Sequence, residues 1–131
     1  GVRYFNDSKA TNTDSAIKAL EAFAGHMILI AGGDDKMTDL TEFMALVRAR
    51  VDELILVGDA AERFAAAALD AGIPAEHIHR AGYYMEKAVQ MAHDLASAPQ
   101  TVLLSPACAS FDMYGGYEER GRDFKRIVNE L

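Results

Sequence analysis

Short, continuous apolar runs recur along the chain and are separated by longer stretches of mixed polarity. Three of these runs have the length and the β-branched or leucine content of buried strands: residues 27–31, 53–57 and 101–104. A fourth, short strand is predicted at residues 78–80. Tyr4 and Phe5 predict the end of a fifth strand close to the N-terminus. The chain starts abruptly at this strand, from which we expect it to be a domain of a longer protein.

Between these runs, apolar residues recur at the three- and four-residue spacing of a helix. This spacing predicts four helices, at about 16–24, 40–47, 60–71 and 85–95. Gly25 is expected to cap the first helix, and Gly72 with Pro74 to close the third. A C-terminal helix is predicted from one apolar stripe, formed by Phe124, Ile127, Val128 and Leu131.

Strands that alternate with helices of this length need crossover connections, which favour a mainly parallel sheet with helices on both faces. The pattern therefore predicts a three-layer, Rossmann-like α/β fold. A chain of 131 residues can bury a real core without disulfides. No repeat or linker divides it, so residues 1–131 are expected to form a single domain.

The net charge and the cysteine content exclude several classes of protein. Twenty acidic residues against thirteen Lys and Arg give a net charge of −7, the wrong sign for a nucleic-acid or anionic-membrane surface. No apolar run approaches the ~20 residues of a membrane span. The only cysteine, Cys108, has no CxxC or Cys/His neighbours, which excludes a disulfide framework and indicates the cytoplasm.

In an open parallel sheet, ligands bind beyond the carboxyl ends of the strands. Of the loops expected there, the one at residues 6–12 combines an acid, an amine, two hydroxyls and two amides, a set suited to a hydroxylated or anionic ligand. Lys9 is its obvious anion partner. The alternative is that Ser8, Thr11, Asn12 and Thr13 only cap the following helix.

The loop at 32–36 has two glycines before Asp34, Asp35 and Lys36. The glycines either allow the backbone to approach a ligand closely or simply form a turn. The two carboxylates could hold a divalent ion or could be solvated. Lys36 could be an exposed, solvated lysine without a ligand. Neither a Walker A sequence nor GxGxxG occurs, which excludes a nucleotide site built on those motifs.

The loop at 105–112 follows a strand and is rich in small residues, which indicates close packing or ligand approach. It lacks GxSxG and has no histidine nearby, so Ser105 and Ser110 are not expected to be hydrolase nucleophiles. Cys108 is expected to be an inert, buried thiol. Elsewhere, His77 and His79 could share a metal, but a surface or interface role is favoured.

Four segments together resemble the C-terminal domain of the Mur ligase family: residues 6–12, 32–36, 104–112 and 117–121. The likeness runs from end to end, and the Ser-Pro-Ala-Cys-Ala-Ser-Phe-Asp stretch resembles the D-glutamate-adding members. The Asp-Asn-Pro-Arg motif of the diamino-acid-adding members is missing. Sibling Mur ligases and folylpolyglutamate synthases share the domain fold, so another amino-acid ligase of this superfamily remains an alternative. A non-catalytic Rossmann-like binding module is a second alternative.

The resemblance implies a three-domain enzyme of cytoplasmic peptidoglycan synthesis. ATP would phosphorylate the carboxylate of UDP-N-acetylmuramoyl-L-alanine, and the amine of D-glutamate would attack the acyl phosphate. The phosphate loop and the Mg²⁺ ligands of such enzymes belong to the central domain, so neither a catalytic nor a metal-binding residue is expected in this chain. The domain alone is expected to fold without ligase activity.

Carried over motif by motif, the resemblance implies that Asp7 meets the ATP ribose and Lys9 lies between the phosphates and the amino acid. The D-glutamate carboxylates would be held by Thr11, Lys36, Ser110 and the backbone or ring of Tyr117. Position 117 is often Phe in the family, which leaves the contact of the Tyr117 phenol open. Phe111 is expected beside the same pocket. The decisive expectation is that three distant segments form one cationic, hydroxyl-lined cradle.

Overall fold

The computed structural model describes all 131 residues. Five strands form one sheet: β1 Arg3–Asn6, β2 Met27–Gly32, β3 Val51–Val57, β4 Ile78–Arg80 and β5 Thr101–Leu104. Five helices connect or follow them: α1 Thr13–Glu21, α2 Thr41–Arg50, α3 Ala61–Asp70, α4 Met85–Leu95 and α5 Tyr117–Asn129. A 3₁₀ turn, Ala75–His77, precedes β4. None of the helices has the length and apolar character needed to cross a lipid bilayer.

The strands are ordered β1-β5-β2-β3-β4, and every neighbouring pair is parallel. All six residues of the central strand β2 are buried, as expected for a parallel strand covered on both faces. The predicted three-layer α/β fold is confirmed. Because β1, β5 and β2 are adjacent, the loops that follow them leave the same edge of the sheet side by side.

Two apolar cores lie on opposite faces of the sheet. On one face, Leu29 and its neighbours pack against α1, α2 and α3. On the other, Ile30 and its neighbours pack against α4 and α5, which contribute Val89 and Phe124. Successive residues of a strand point to opposite faces, so the apolar run of β2 serves both cores.

Two helix ends differ from the sequence expectations. Helix α1 ends at Glu21 and is capped by Ala22, so the expectation that Gly25 caps it is wrong. Phe23 lies outside the helix but continues its apolar spacing. The reason is a tertiary contact: the Phe23 ring packs edge-on against Phe5, with the ring centroids 5.1 Å apart. Leu131 lies beyond the end of α5 and is 49% exposed, so it is not part of the buried stripe. Gly72 does close α3, with a φ of 94°.

Candidate functional site

Three loops at the carboxyl edge of the sheet carry the predicted site residues. We call residues 6–12 after β1 the first loop, residues 32–36 after β2 the second loop, and residues 105–112 after β5 the third loop. They converge because their strands are neighbours in the sheet, although nearly the whole chain separates the first loop from the third. The third loop lies between the other two.

Backbone hydrogen bonds join the third loop to both of its neighbours. The amide of Ala107 donates to the carbonyl of Ala10 in the first loop at 2.9 Å. The amide of Asp34 in the second loop donates to the carbonyl of Ala109 at 2.8 Å. Gly33 allows this approach: its φ is +129°, and a Cβ added there would lie 2.5 Å from the carbonyl oxygen of Ala109. The three loops therefore form one continuous backbone unit.

In the first loop, the carboxylate of Asp7 accepts a hydrogen bond from the Ser105 hydroxyl at 3.0 Å. Lys9 is exposed and belongs to none of the ion pairs of the chain. Of the four residues that could have capped α1, only Asn12 does so, by accepting from the Ser15 amide at 2.9 Å. The half-buried Thr11 takes no part in the cap. Its hydroxyl is therefore available to a ligand.

In the second loop, Asp35 forms a bidentate ion pair with Arg63, at 2.6 Å and 2.9 Å. The Asp35 side chain is only 13% exposed, so the expectation that both carboxylates are solvated or hold a cation is wrong for this residue. The hydrogen bonds from Arg63 hold the pKa of Asp35 below its ordinary value. The neighbouring Lys36 is exposed and forms no ion pair. Asp35 thus anchors the loop and leaves the Lys36 ammonium free.

The third loop contains two buried polar atoms without partners. Ser110 is 2% exposed, and its hydroxyl makes no hydrogen bond. Asp112 accepts from the Asp59 amide at 2.9 Å through Oδ2, while its Oδ1 is buried and unpartnered. Desolvation raises the pKa of Asp112. Buried polar groups are nearly always hydrogen-bonded, so the unpartnered Ser110 hydroxyl is a candidate for binding a ligand.

Two further predicted residues are aromatic and exposed. Phe111 is 69% exposed, next to Ser110. Tyr117 begins α5 and is 42% exposed, and its backbone carbonyl accepts a hydrogen bond from the Ser8 hydroxyl at 2.7 Å. The phenol oxygen of Tyr117 makes no hydrogen bond in the chain. Both rings are accessible to a ligand or to another protein surface.

Two clefts beside the first loop show which predicted residues share a space. One, of about 500 Å³, is lined by both Asp7 and Lys9. The other, of about 300 Å³, is lined by Lys9 and Tyr117 together with Arg122 and Lys125. Lys36 and Ser110 are joined to these residues through the backbone of the loops, and no hydrogen bond links two of the predicted ligand side chains directly.

Arg120 is part of the same region and was not singled out from the sequence. Its side chain is 2% exposed, and it donates to backbone or hydroxyl oxygens of Ser8, Cys108 and Ala109. It lies four residues before Phe124 on the buried stripe of α5. A charged residue at a core position of an amphipathic helix was the signal that could have identified it.

The two histidines of β4 and its preceding turn have no metal-site geometry. Nδ1 of His77 and Nε2 of His79 contact the two carboxylate oxygens of Glu53, at 2.7 Å and 2.9 Å. No group of three or more His, Cys, Asp or Glu side chains that could hold a metal ion is present. The histidines therefore tie β4 to β3 at the edge of the sheet.

Sequence comparison identifies the family of the chain. The family model described as "Mur ligase, glutamate ligase domain" matches residues 1–108. The chain belongs to this family. The resemblance stated from the four motifs is confirmed, although the matched range ends before Ser110 and Tyr117.

Relatives of this Mur ligase domain extend the match to the C-terminus. The chain is 45% identical over 131 residues to the UDP-N-acetylmuramoylalanine--D-glutamate ligase of Thermoanaerobacter sp. (strain X514), covering 100% of this chain and 29% of the relative. It is 48% identical over 128 residues to the protein of the same name from Desulfitobacterium hafniense (strain DSM 10664 / DCB-2), covering 98% of this chain and 28% of the relative. The chain thus spans less than a third of the length of these relatives.

A solved structure supports the fold. The Mycobacterium tuberculosis folylpolyglutamate synthase complexed with ADP and AMPPCP matches with a TM-score of 0.54 and 14% sequence identity. The match covers 75% of this chain and 26% of that one. At this identity the similarity concerns the fold alone, and it agrees with the three-layer architecture of the Mur ligase domain.

The thiol of this Mur ligase domain is expected to be unreactive in the folded state. Cys108 is 1% exposed, and its pKa is raised to about 12, mainly because burial desolvates the thiolate. Iodoacetamide at pH 8 should therefore leave folded protein unmodified and add one adduct after unfolding in urea, as measured by intact mass. Since Cys108 is the only cysteine of the chain, the adduct is unambiguous in the isolated domain. Rapid alkylation in native buffer would contradict this reading of the thiol.

Proposed function

We propose that the chain is the C-terminal, amino-acid-binding domain of an ATP-dependent ligase that adds D-glutamate to UDP-N-acetylmuramoyl-L-alanine in cytoplasmic peptidoglycan synthesis. The observation that carries the proposal is the buried, unpartnered hydroxyl of Ser110. It lies in the third loop, whose backbone is hydrogen-bonded to the two loops that carry Lys9 and Lys36. The family and the names of the relatives support the ligase class. The lone buried cysteine agrees with a reducing compartment.

The proposed amino-acid site matches a small diacid in charge and hydrogen-bonding capacity. D-Glutamate brings two carboxylates, which need donors, and the three loops offer the Lys36 ammonium and the hydroxyls of Thr11 and Ser110. Charge-assisted hydrogen bonds of this kind are about twice as strong as neutral ones. Tyr117 would add its backbone or ring at the start of α5, and the exposed ring of Phe111 would cover the pocket.

The first loop fits part of ATP. The carboxylate of Asp7 is oriented by the Ser105 hydroxyl and can accept hydrogen bonds from a ribose, while Lys9 has no carboxylate partner and can face phosphates. The two side chains line one cleft, which has room for such a group. Bound ATP would supply the phosphoryl group that activates the carboxylate of the UDP-linked substrate. We assign no residue of this chain to Mg²⁺.

Positioning is the proposed contribution of this domain. It would hold the amine of D-glutamate where the activated carboxylate can be reached, and the domains that complete the enzyme would hold the other reactant. Fixing two reactants in a productive geometry can replace several kcal/mol of barrier, roughly 7–11 kcal/mol in favourable cases. No side chain of the three loops needs to act as an acid or base in this proposal.

The test is ADP release, measured in a coupled assay. The intact protein that carries this chain should release ADP only when both UDP-N-acetylmuramoyl-L-alanine and D-glutamate are supplied. The 131-residue chain alone should release none under the same conditions.

Two outcomes would contradict the proposal. Turnover by the isolated chain would show that the chemistry does not require other domains. Activity of the intact protein with L-glutamate and a folate, but not with D-glutamate, would instead favour a folylpolyglutamate synthase activity, the alternative stated from the sequence.

A further inference from the structure

We infer that Arg120 is a positioning residue of the proposed amino-acid site. Its buried guanidinium holds the first and third loops together and so sets the positions of Lys9, Ser110 and Tyr117. The inference rests on the proposed function for the identity of the ligand. The geometry of the network is independent of that proposal.

The guanidinium of Arg120 binds two loops at once. Nη2 and Nε donate to the carbonyl and the hydroxyl oxygen of Ser8, at 2.6 Å and 2.9 Å. Nη1 donates to the carbonyls of Cys108 and Ala109, at 3.1 Å and 3.2 Å. The planar fork of an arginine can span the two loops in this way, whereas the ammonium of a lysine cannot.

Three of the four atoms that Arg120 binds belong to residues next to one proposed to contact the ligand. Ser8 directly precedes Lys9, and Ala109 directly precedes Ser110. The Ser8 hydroxyl also donates to the Tyr117 carbonyl at 2.7 Å, which fixes the start of α5. Displacement of the guanidinium would therefore move at least three donors of the site together.

The second loop is connected to the same point. The Ala109 carbonyl accepts from Arg120 and also from the Asp34 amide, two residues before Lys36. A Cβ at Gly33 would lie 3.4 Å from Nη1 of Arg120. One guanidinium thus contacts or supports all three loops of the proposed site.

Arg120 forms no direct ion pair within the chain, although the more distant Asp112 carboxylate favours its charged form. All four acceptors are carbonyl or hydroxyl oxygens, and Arg120 belongs to none of the ion pairs. A buried cation without a directly paired anion is costly, so fold stability alone does not account for it. A carboxylate bound at the neighbouring Ser110 hydroxyl would bring negative charge close to it. We therefore expect Arg120 to favour anionic ligands without contacting them.

The experiment compares Arg120→Lys with Arg126→Gln in the intact protein. Arg126 lies on the same helix but is exposed, and its ion pairs with Asp123 and Glu130 are at the surface. Arg120→Lys should raise the KM for D-glutamate about tenfold or more, because the fork that orients several charged hydrogen bonds is lost. The KM for ATP should change by less than about threefold. Arg126→Gln should leave both constants unchanged.

A second measurement reports on the loops without any ligand. Hydrogen exchange followed by mass spectrometry should show faster exchange at residues 6–12 and 105–112 in Arg120→Lys, with α3 unaffected. Faster exchange with an unchanged KM for D-glutamate would show that Arg120 stabilises the loops without affecting ligand binding, and it would overturn the inference. Unchanged exchange in these loops would overturn it as well.

Ser8→Ala covers the case in which Arg120→Lys does not fold. This variant removes the hydroxyl that joins Arg120 to the Tyr117 carbonyl and keeps the buried charge. It should raise the KM for D-glutamate about threefold or more, and an unchanged KM would overturn the inference. Absence of any D-glutamate-dependent ADP release by the unsubstituted protein would instead overturn the proposed function, so the two failures are distinguishable.

Discussion

Replacing Lys36 with methionine in the intact protein is expected to raise the KM for D-glutamate roughly 10- to 100-fold, because the proposed charge-assisted hydrogen bond from its ammonium to a carboxylate would be lost. Lys36 is exposed and forms no ion pair, so its removal breaks no interaction that supports the fold. The KM for ATP should change much less. Initial rates of ADP release over a range of D-glutamate concentrations measure both constants.

The matched control is Lys87→Met. Lys87 is also exposed and without an ion pair, but it lies on α4, on the face of the sheet opposite α1, α2 and α3. The control corrects for the change in net charge, and its kinetics should equal those of the unsubstituted protein. Equal KM values for D-glutamate in the two variants would remove Lys36 from the proposed pocket.

Replacing Gly33 with alanine is expected to lower the free energy of unfolding by about 3 kcal/mol or more, since a strained φ and a steric collision add together. The backbone of Gly33 has a φ of +129°, and the added Cβ would lie 2.5 Å from the Ala109 carbonyl oxygen. That carbonyl cannot retreat freely, because it is held by Arg120 and by the Asp34 amide. Urea denaturation followed by circular dichroism measures the change.

Gly25→Ala separates the two causes. Gly25 has the same φ of +129°, but the nearest atom to its added Cβ is the Arg50 carbonyl oxygen at 3.9 Å. This variant should show only the conformational cost, about 1–2 kcal/mol. If the Gly33→Ala variant were as stable as the Gly25→Ala variant, the contact between Gly33 and the Ala109 carbonyl would be looser than described, and the prediction would be wrong.

The architecture was largely predictable from the sequence because buried parallel strands and amphipathic helices have distinct periods. The strands at 78–80 and 101–104 agree with β4 and β5 residue by residue. The errors arose where tertiary contacts extend an apolar pattern past the end of an element. Phe23 is the example: it packs on Phe5 after α1 has ended, and the expected cap at Gly25 was wrong for that reason.

The site was less accessible to sequence reasoning. Residue types marked Lys9, Lys36 and Ser110 as candidates, but only the strand order brings their loops side by side. Asp35 was misjudged because its partner Arg63 comes from α3, a pairing that no local pattern reveals. Its place on the buried stripe of α5 marks Arg120 only as an unusual core residue. The role proposed for it depends on contacts with backbone carbonyls, whose positions a sequence does not display.

The order of the strands also bears on how the protein acquires its structure. β1 pairs with β5 alone, and their paired residues are separated by nearly the entire polypeptide. Contacts so distant along the chain close late, because the loop entropy must first be offset by nearer pairings such as β2 with β3. We therefore expect the N-terminal strand to dock last during refolding, and the edge that carries the proposed site to form only in that final step.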